Sequence, residues 1–425
     1  MKLYLKKTSL PVLFEFIPFI SLVETVFFYF FKLLGLQQFQ MIPYLRLMSL
    51  LFTFLFFFKK KFYPPDFFKI SLKANSENLL VVAWVSFTVI GFFVGIVHQN
   101  AVLYLFTDMI YILFGYLLYR IFYCNQKLLD EITVELTLRQ EHYFVSSVLV
   151  LSVLAFLLDI DLPSFTVVFT LVYALYKYNR KNYGLMLFYT LPFFFQIFKS
   201  NRALLLVFVL VLFFAFAQKR FSKKNITDFL LLIGFFLTLC FFFLDDLLRF
   251  IITYFPENST LKDRLVQLYL LLRGNVDWNS PALLSLSQRI DEAKAVIEYW
   301  CLNPFNFLFG GGMGATIEGF SFKDIGVANS ALLGKTAIHN IHLLPFSLIF
   351  RYGIIGIGLF LILVYNVFKY FFTIILSEQS LFKTVVVFQF CWILYSFPAA
   401  SYLWTCPLFW ITLAYVSNEK RINFS

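Results

Sequence analysis

The feature that most constrains this chain is the length of its uncharged apolar runs. LLVVAWVSFTVIGFFVGI, residues 79 to 96, carries no charge over its whole length, and about 18 such residues suffice to cross the hydrocarbon core of a bilayer. Comparable runs recur along the sequence. With 60% hydrophobic and only 14% charged residues in 425, no soluble fold could cover its apolar surface with polar groups. The chain therefore reads as an all-α integral membrane protein. Its start, MKLYLKK before an apolar run, superficially resembles a signal peptide. Glu15 and Glu24 inside the run and the lack of a small-residue cleavage site favour a retained first span.

Spans are expected near 10–35, 41–58, 79–96, 101–123, 143–158, 163–178, 184–198, 203–217, 227–244, 341–368, 383–400 and 405–418. With the N-terminus inside, 22 basic residues, among them the run Lys59–Lys61, fall on inner segments. Only two, Lys199 and Arg202, fall on short outer loops. The positive-inside rule then predicts twelve spans with both ends cytoplasmic. The net charge of +11 is thus an orientation signal, and the sequence carries no nucleic-acid motif. Cys240, Cys391 and Cys406 lie in expected spans, Cys124 lies inside and Cys301 outside, so no disulfide framework is indicated. The 61 phenylalanines read as lipid-facing filler. The charged segment 126–143 reads as a surface helix on the inner side.

This gives three parts: residues 1–244 with nine spans, an outer segment 245–340, and residues 341–425 with three spans. The outer segment is far longer than an ordinary connection. Within it, Ser285 and Gln288 form an S-x-x-Q capping box, and Asn303-Pro304 ends the helix that follows. Ile290, Ala293, Ile297 and Trp300 share an apolar face expected to lie against the membrane mouth or the bundle. Arg289, in the first turn at the border of that stripe, shares a side with Glu292, Val296 and Tyr299. It suits an anion or an ion pair with Glu292. Seven of the 17 glycines fall in 310–334. There GGGMG offers either close approach to a phosphate or a mobile lid, and it lacks the GK[ST] of a P-loop.

His339 and His342, in TAIHNIHLL, sit three apart. They are metal ligands, structural caps or a proton-handling group, and the sequence supplies no H-E-x-x-H or cysteine cluster to complete a metal site. Asp159-Ile-Asp161 is a D-x-D on a short outer loop and reads as interfacial. Arg202 opens an outer-facing span, either snorkelling or serving as a ligand. Lys32, Arg46 and Arg351 either line a cavity or snorkel.

Taken in order, Ser200-Asn201-Arg202, Arg289 with Trp300, Pro304 to Gly314, His339-Asn340 and the RYGIIG stretch from Arg351 resemble the O-antigen polymerase and ligase superfamily of bacterial envelopes (the Wzy and WaaL type). The resemblance covers residues 200 to 360 and extends over the first 200 only as topology. It implies a GT-C-like enzyme of the bacterial inner membrane with one large periplasmic loop. Its substrate would be glycan carried on undecaprenyl diphosphate, and it would work without cofactor or metal beside a chain-length-regulating partner. His339 would be the general base, since imidazole ordinarily titrates near about pH 6.5. Arg202 and Arg289 would hold the diphosphate. Asn340, Gly311, Gly312, Gly314, His342, Tyr299 and Arg351 would line the substrate. A polymerase, joining repeat units en bloc, is the first reading, and a ligase to lipid A core is the alternative. A flippase for lipid-linked oligosaccharide, from another class, would spread charge through a central cavity. Here the polar residues gather on one side.

Overall fold

Hydrogen-bonded helices satisfy their own backbone, so long apolar runs become helices wherever no breaker intervenes. The computed structural model describes residues 10–35, 38–60, 75–125, 128, 135–197, 202–220, 252–253, 266, 269–270, 284–318, 337–376 and 380–418. In chain order the first half holds α1 (Val12–Leu33), α2 (Gln38–Lys59), α3 (Ser76–Val97) and α4 (Val102–Cys124), then α5 (Leu138–Leu157), α6 (Ser164–Asn179), α7 (Tyr183–Ile197) and α8 (Arg202–Arg220). After these come α9 (Leu284–Cys301), α10 (Pro304–Phe309), β1 (Ile317–Glu318) and β2 (Ala337–Ile338). The chain then forms α11 (Leu344–Tyr352), α12 (Ile354–Leu376), α13 (Leu381–Ser396), α14 (Ser401–Thr405) and α15 (Pro407–Ser417). Five of these helices, α1, α3, α4, α5 and α12, are long and apolar enough to cross a membrane. The expected span 227–244 lies outside the described residues.

Most helices begin and end within a few residues of the expected runs, but three local readings change. The run 341–368 is two helices, because Gly353 adopts φ +61 between α11 and α12. A Cβ there would sit 2.6 Å from the Gly310 nitrogen, so only glycine fits the crossing. The run 405–418 matches α15, with the short α14 placed just before it across Cys406. Segment 126–143 is not one surface helix: Thr137 starts α5 with a capping box to Gln140. The all-helical expectation holds apart from a two-residue antiparallel ladder, Ile317 opposite Ile338 and Glu318 opposite Ala337.

Packing also revises the role of phenylalanine. Phe14, Phe16, Phe57, Phe122 and Phe144 are fully buried rather than lipid-facing. Phe14 alone meets Phe144, Phe169 and Tyr173 edge-on at 5.2 to 5.9 Å, and such ring pairs contribute about 0.5–1.5 kcal/mol each beyond area burial. That matters in a bilayer, where the hydrophobic effect does not press helix against helix. Buried polar bonds add to it. Gln389 donates to the Phe409 carbonyl at 2.7 Å and to Thr412 Oγ1 at 2.6 Å, joining α13 to α15.

Candidate functional site

Asp108, one turn after Tyr104 on α4, is the centre of the site. It is 7% exposed, and a buried carboxylate is stable only where donors surround it. Two segments supply them, and a third brings an imidazole close. The Gly314 amide donates to Oδ2 at 3.1 Å. Arg351, at the end of α11, donates from Nε to Oδ2 at 3.1 Å and from Nη2 to Oδ1 at 3.4 Å. His339 places Nε2 3.5 Å from Oδ1. Arg351 is itself buried. It donates from Nη1 to Ser347 Oγ at 2.6 Å, one turn back on α11, and its guanidinium lies 5.2 Å from the Trp404 ring centre. A small cavity, on the order of one water in size, lies beside the pair and is lined by Trp84, Met313 and Tyr352 among others.

The glycine loop is a packed strut. Its Gly311 and Gly312 amides donate to the Phe350 and Arg351 carbonyls, and the Met313 amide donates to the Gly91 carbonyl. Asn100 Nδ2 donates to the Gly311 and Met313 carbonyls, each at 2.8 Å. With Gly314 bonded to Asp108, these amides are occupied by protein acceptors, in contrast to the expected phosphate cradle or mobile lid. Gly312 has φ +75, and a Cβ on it would lie 2.4 Å from the Gly95 nitrogen.

From β1 and β2 the chain returns over this loop, which brings His339 above Ala315. His339 Nδ1 lies 2.8 Å from the Ala315 carbonyl. A carbonyl only accepts, so Nδ1 carries a proton and the neutral ring presents its lone pair at Nε2, on the Asp108 side. Tyr104 stacks flat on the imidazole at 4.3 Å. Asn340, next along, is exposed.

His342 goes elsewhere. Its Nδ1 and its amide both donate to the buried Glu292 carboxylate of α9, at 2.9 and 3.0 Å. Each histidine thus takes its own acid, so the two do not form a metal pair, and His342 acts as a staple between α9 and the approach to α11. Arg289, one turn before Glu292, is half-buried on the same face. Burial pulls its guanidinium pKa down, and the nearby Glu292 opposes that. Tyr299, two turns further along, packs edge-on against Phe350 and over Gly311, and burial pushes its phenol pKa up. The side chains of Arg202, Ser285 and Gln288 lie outside the described residues, although the helix already includes Leu284, ahead of the expected Ser285 cap. Asn303 caps a new helix, α10, accepting from the Asn306 amide at 2.8 Å.

The face of α9 that packs inward is the one bearing Arg289, Glu292, Val296 and Tyr299. Glu292 and Val296 are buried, while Ile297 of the apolar stripe is 46% exposed. Of the two surfaces expected for the apolar stripe, the bundle instead takes the neighbouring Glu292 and Val296 side, and Ile297 points away from it. Among the remaining charges, Lys32 binds the Leu158 and Asp159 carbonyls and the Asp159 carboxylate of the D-x-D. Arg46 donates to Ser401 Oγ at 3.0 Å.

Sequence reasoning passed over Asp108. Its signal was present: Asp108 is the one acid in the run 101–123, and an acid inside a span is a functional candidate by default. No protein-family model, curated protein or solved structure matches this chain.

Proposed function

We propose that this chain is a glycosyltransferase of the bacterial inner membrane that polymerises surface glycan carried on a polyprenyl diphosphate. In this reading twelve spans in a GT-C-like arrangement hold residues 245–340 on the periplasmic side. The observation that carries it is the meeting of His339, Arg351 and Asp108 at one place, with Arg289 on a helix stapled to the same strand end through Glu292 and His342.

The sugar C1–O bond to diphosphate already has a good leaving group. What remains is to take one proton and to hold the departing anion. The acceptor hydroxyl attacks C1 as its proton passes to His339 Nε2. The C1–O bond breaks, and its electron pair leaves with the diphosphate, which Arg289 and Arg202 bind. Asp108, 3.5 Å from Nε2, stabilises the imidazolium so formed. Ala315 holds the tautomer, and Arg351 keeps Asp108 ionised and in place. Single displacement inverts C1, and an NMR assignment of a retained linkage would refute that step.

Deletion of the gene tests the whole reading on a polysaccharide gel. Single-repeat caps without a ladder support the polymerase. Polymer left on the carrier with bare lipid A core indicates the ligase, which shares this chemistry and differs in acceptor. Repeat units trapped inside indicate a flippase and end the enzymatic reading.

A further inference from the structure

Helix α9 presents three distinct faces on a turn of roughly 100° per residue. Arg289, Glu292, Val296 and Tyr299 face the bundle, and Asp291, Lys294 and Glu298 form a charged side. Between them runs the stripe of Ile290 and Ile297, which continues past the helix end into Leu302, Phe305 and Leu308. Leu302 is 73% exposed and Leu308 46%. A helix touching only protein and water would not keep such a stripe outside.

We infer that this stripe is seated in the outer lipid interface, with α9 and α10 lying along the membrane surface as a monotopic pair. The occupant follows from what the stripe joins. Phe305 rests on His98 at the end of α3, ring centres 5.5 Å apart, beside Ile96 and Val97, which are exposed on α3. The Leu308 backbone meets Gly353, next to Ile354, exposed at the start of α12. Helices α3 and α12 are two of the five long enough to cross a membrane. The apolar exterior of the spans thus runs up onto the loop helices, and the charged side of α9 begins where that surface stops. This is the arrangement of an interfacial amphipathic helix, apolar stripe in the acyl boundary and charged side in water. It stands whether or not the chain transfers sugars.

The test uses the full chain in vesicles containing phosphatidylglycerol with a diazirine on its acyl chain, with adducts mapped by peptide mass spectrometry. Adducts are expected on Ile297, Leu302, Phe305 and Leu308 as well as on the outer end of α3, and none on Lys294 or Glu298. Labelled α3 with an unlabelled 297–308 would overturn the inference. So would cysteine cross-links that place a second copy, or residues 254–283 or 319–336, over Leu302.

Discussion

Asp108 accepts from an amide and a guanidinium and faces an imidazole, all brought from distant places in the chain, so its replacement separates structure from chemistry. Asp108→Asn leaves Arg351 buried without its counter-charge, and unfolding in detergent should show a loss of about 3–5 kcal/mol. Pairing Asp108→Leu with Arg351→Met should restore most of that stability while the polysaccharide ladder stays absent. A restored ladder would confine the pair to scaffolding. The two histidines divide in the same way. His339→Ala removes the proposed base and should abolish the ladder at unchanged protein level. His342→Ala removes only the staple to Glu292 and should lower activity partially, with a lower thermal midpoint. Equal loss in both at full stability would sink this division of roles. In the sequence the two look alike, three apart on one motif. What distinguishes them is which acid each meets, Asp108 or Glu292, and those acids lie more than 180 positions apart in the chain. Spacing within a motif carries no information about partners that distant.

Elements were legible where they are continuous and obscure where they break. Helices α3, α4 and α6 follow their apolar runs closely, because composition alone decides whether a long segment suits a bilayer. The break at Gly353 was hidden in LIFRYGIIGIGLF, since apolarity continues across it and only the left-handed φ interrupts the helix. The inward face of α9 was left open for another reason. Both a protein core and a lipid layer accept Ile290 and Ile297, so an apolar stripe does not say which of them it meets. The glycine strut gives a sharp test at this scale. Gly312→Ala combines a positive φ with a Cβ 2.4 Å from backbone and should destabilise by at least roughly 1–3 kcal/mol. Gly358→Ala, in open space on α12, should leave the thermal midpoint unchanged or slightly higher, as helix propensity favours alanine. A harmless Gly312→Ala would contradict the packed-strut description.

Across the whole molecule, the arrangement follows the distribution of charge. Basic residues gather toward one side of the expected topology, and His339, at the end of the long expected outer loop, and Arg351, just after it, meet Asp108 inside α4. A fluorescent protein fused after Ser425 should therefore fold and fluoresce in the cytoplasm, and alkaline phosphatase fused after residue 330 should be active outside. An inactive phosphatase there would invert the topology and move the site to the wrong face for a periplasmic donor.

The distance in sequence between Asp108 and its donors also has a consequence for biosynthesis. Gly314 follows Asp108 by 206 residues and Arg351 by 243. At about 5–20 residues per second, the ribosome needs roughly 10–50 s to deliver Arg351 after Asp108. Until Gly314 emerges α4 carries an acid with none of these donors, and its guanidinium partner is made later still. A chain stopped short of Arg351 holds this acid without its guanidinium, and such a group is costly to bury unpaired. The carboxylate that organises the finished site is thus a costly group to bury in an unfinished one.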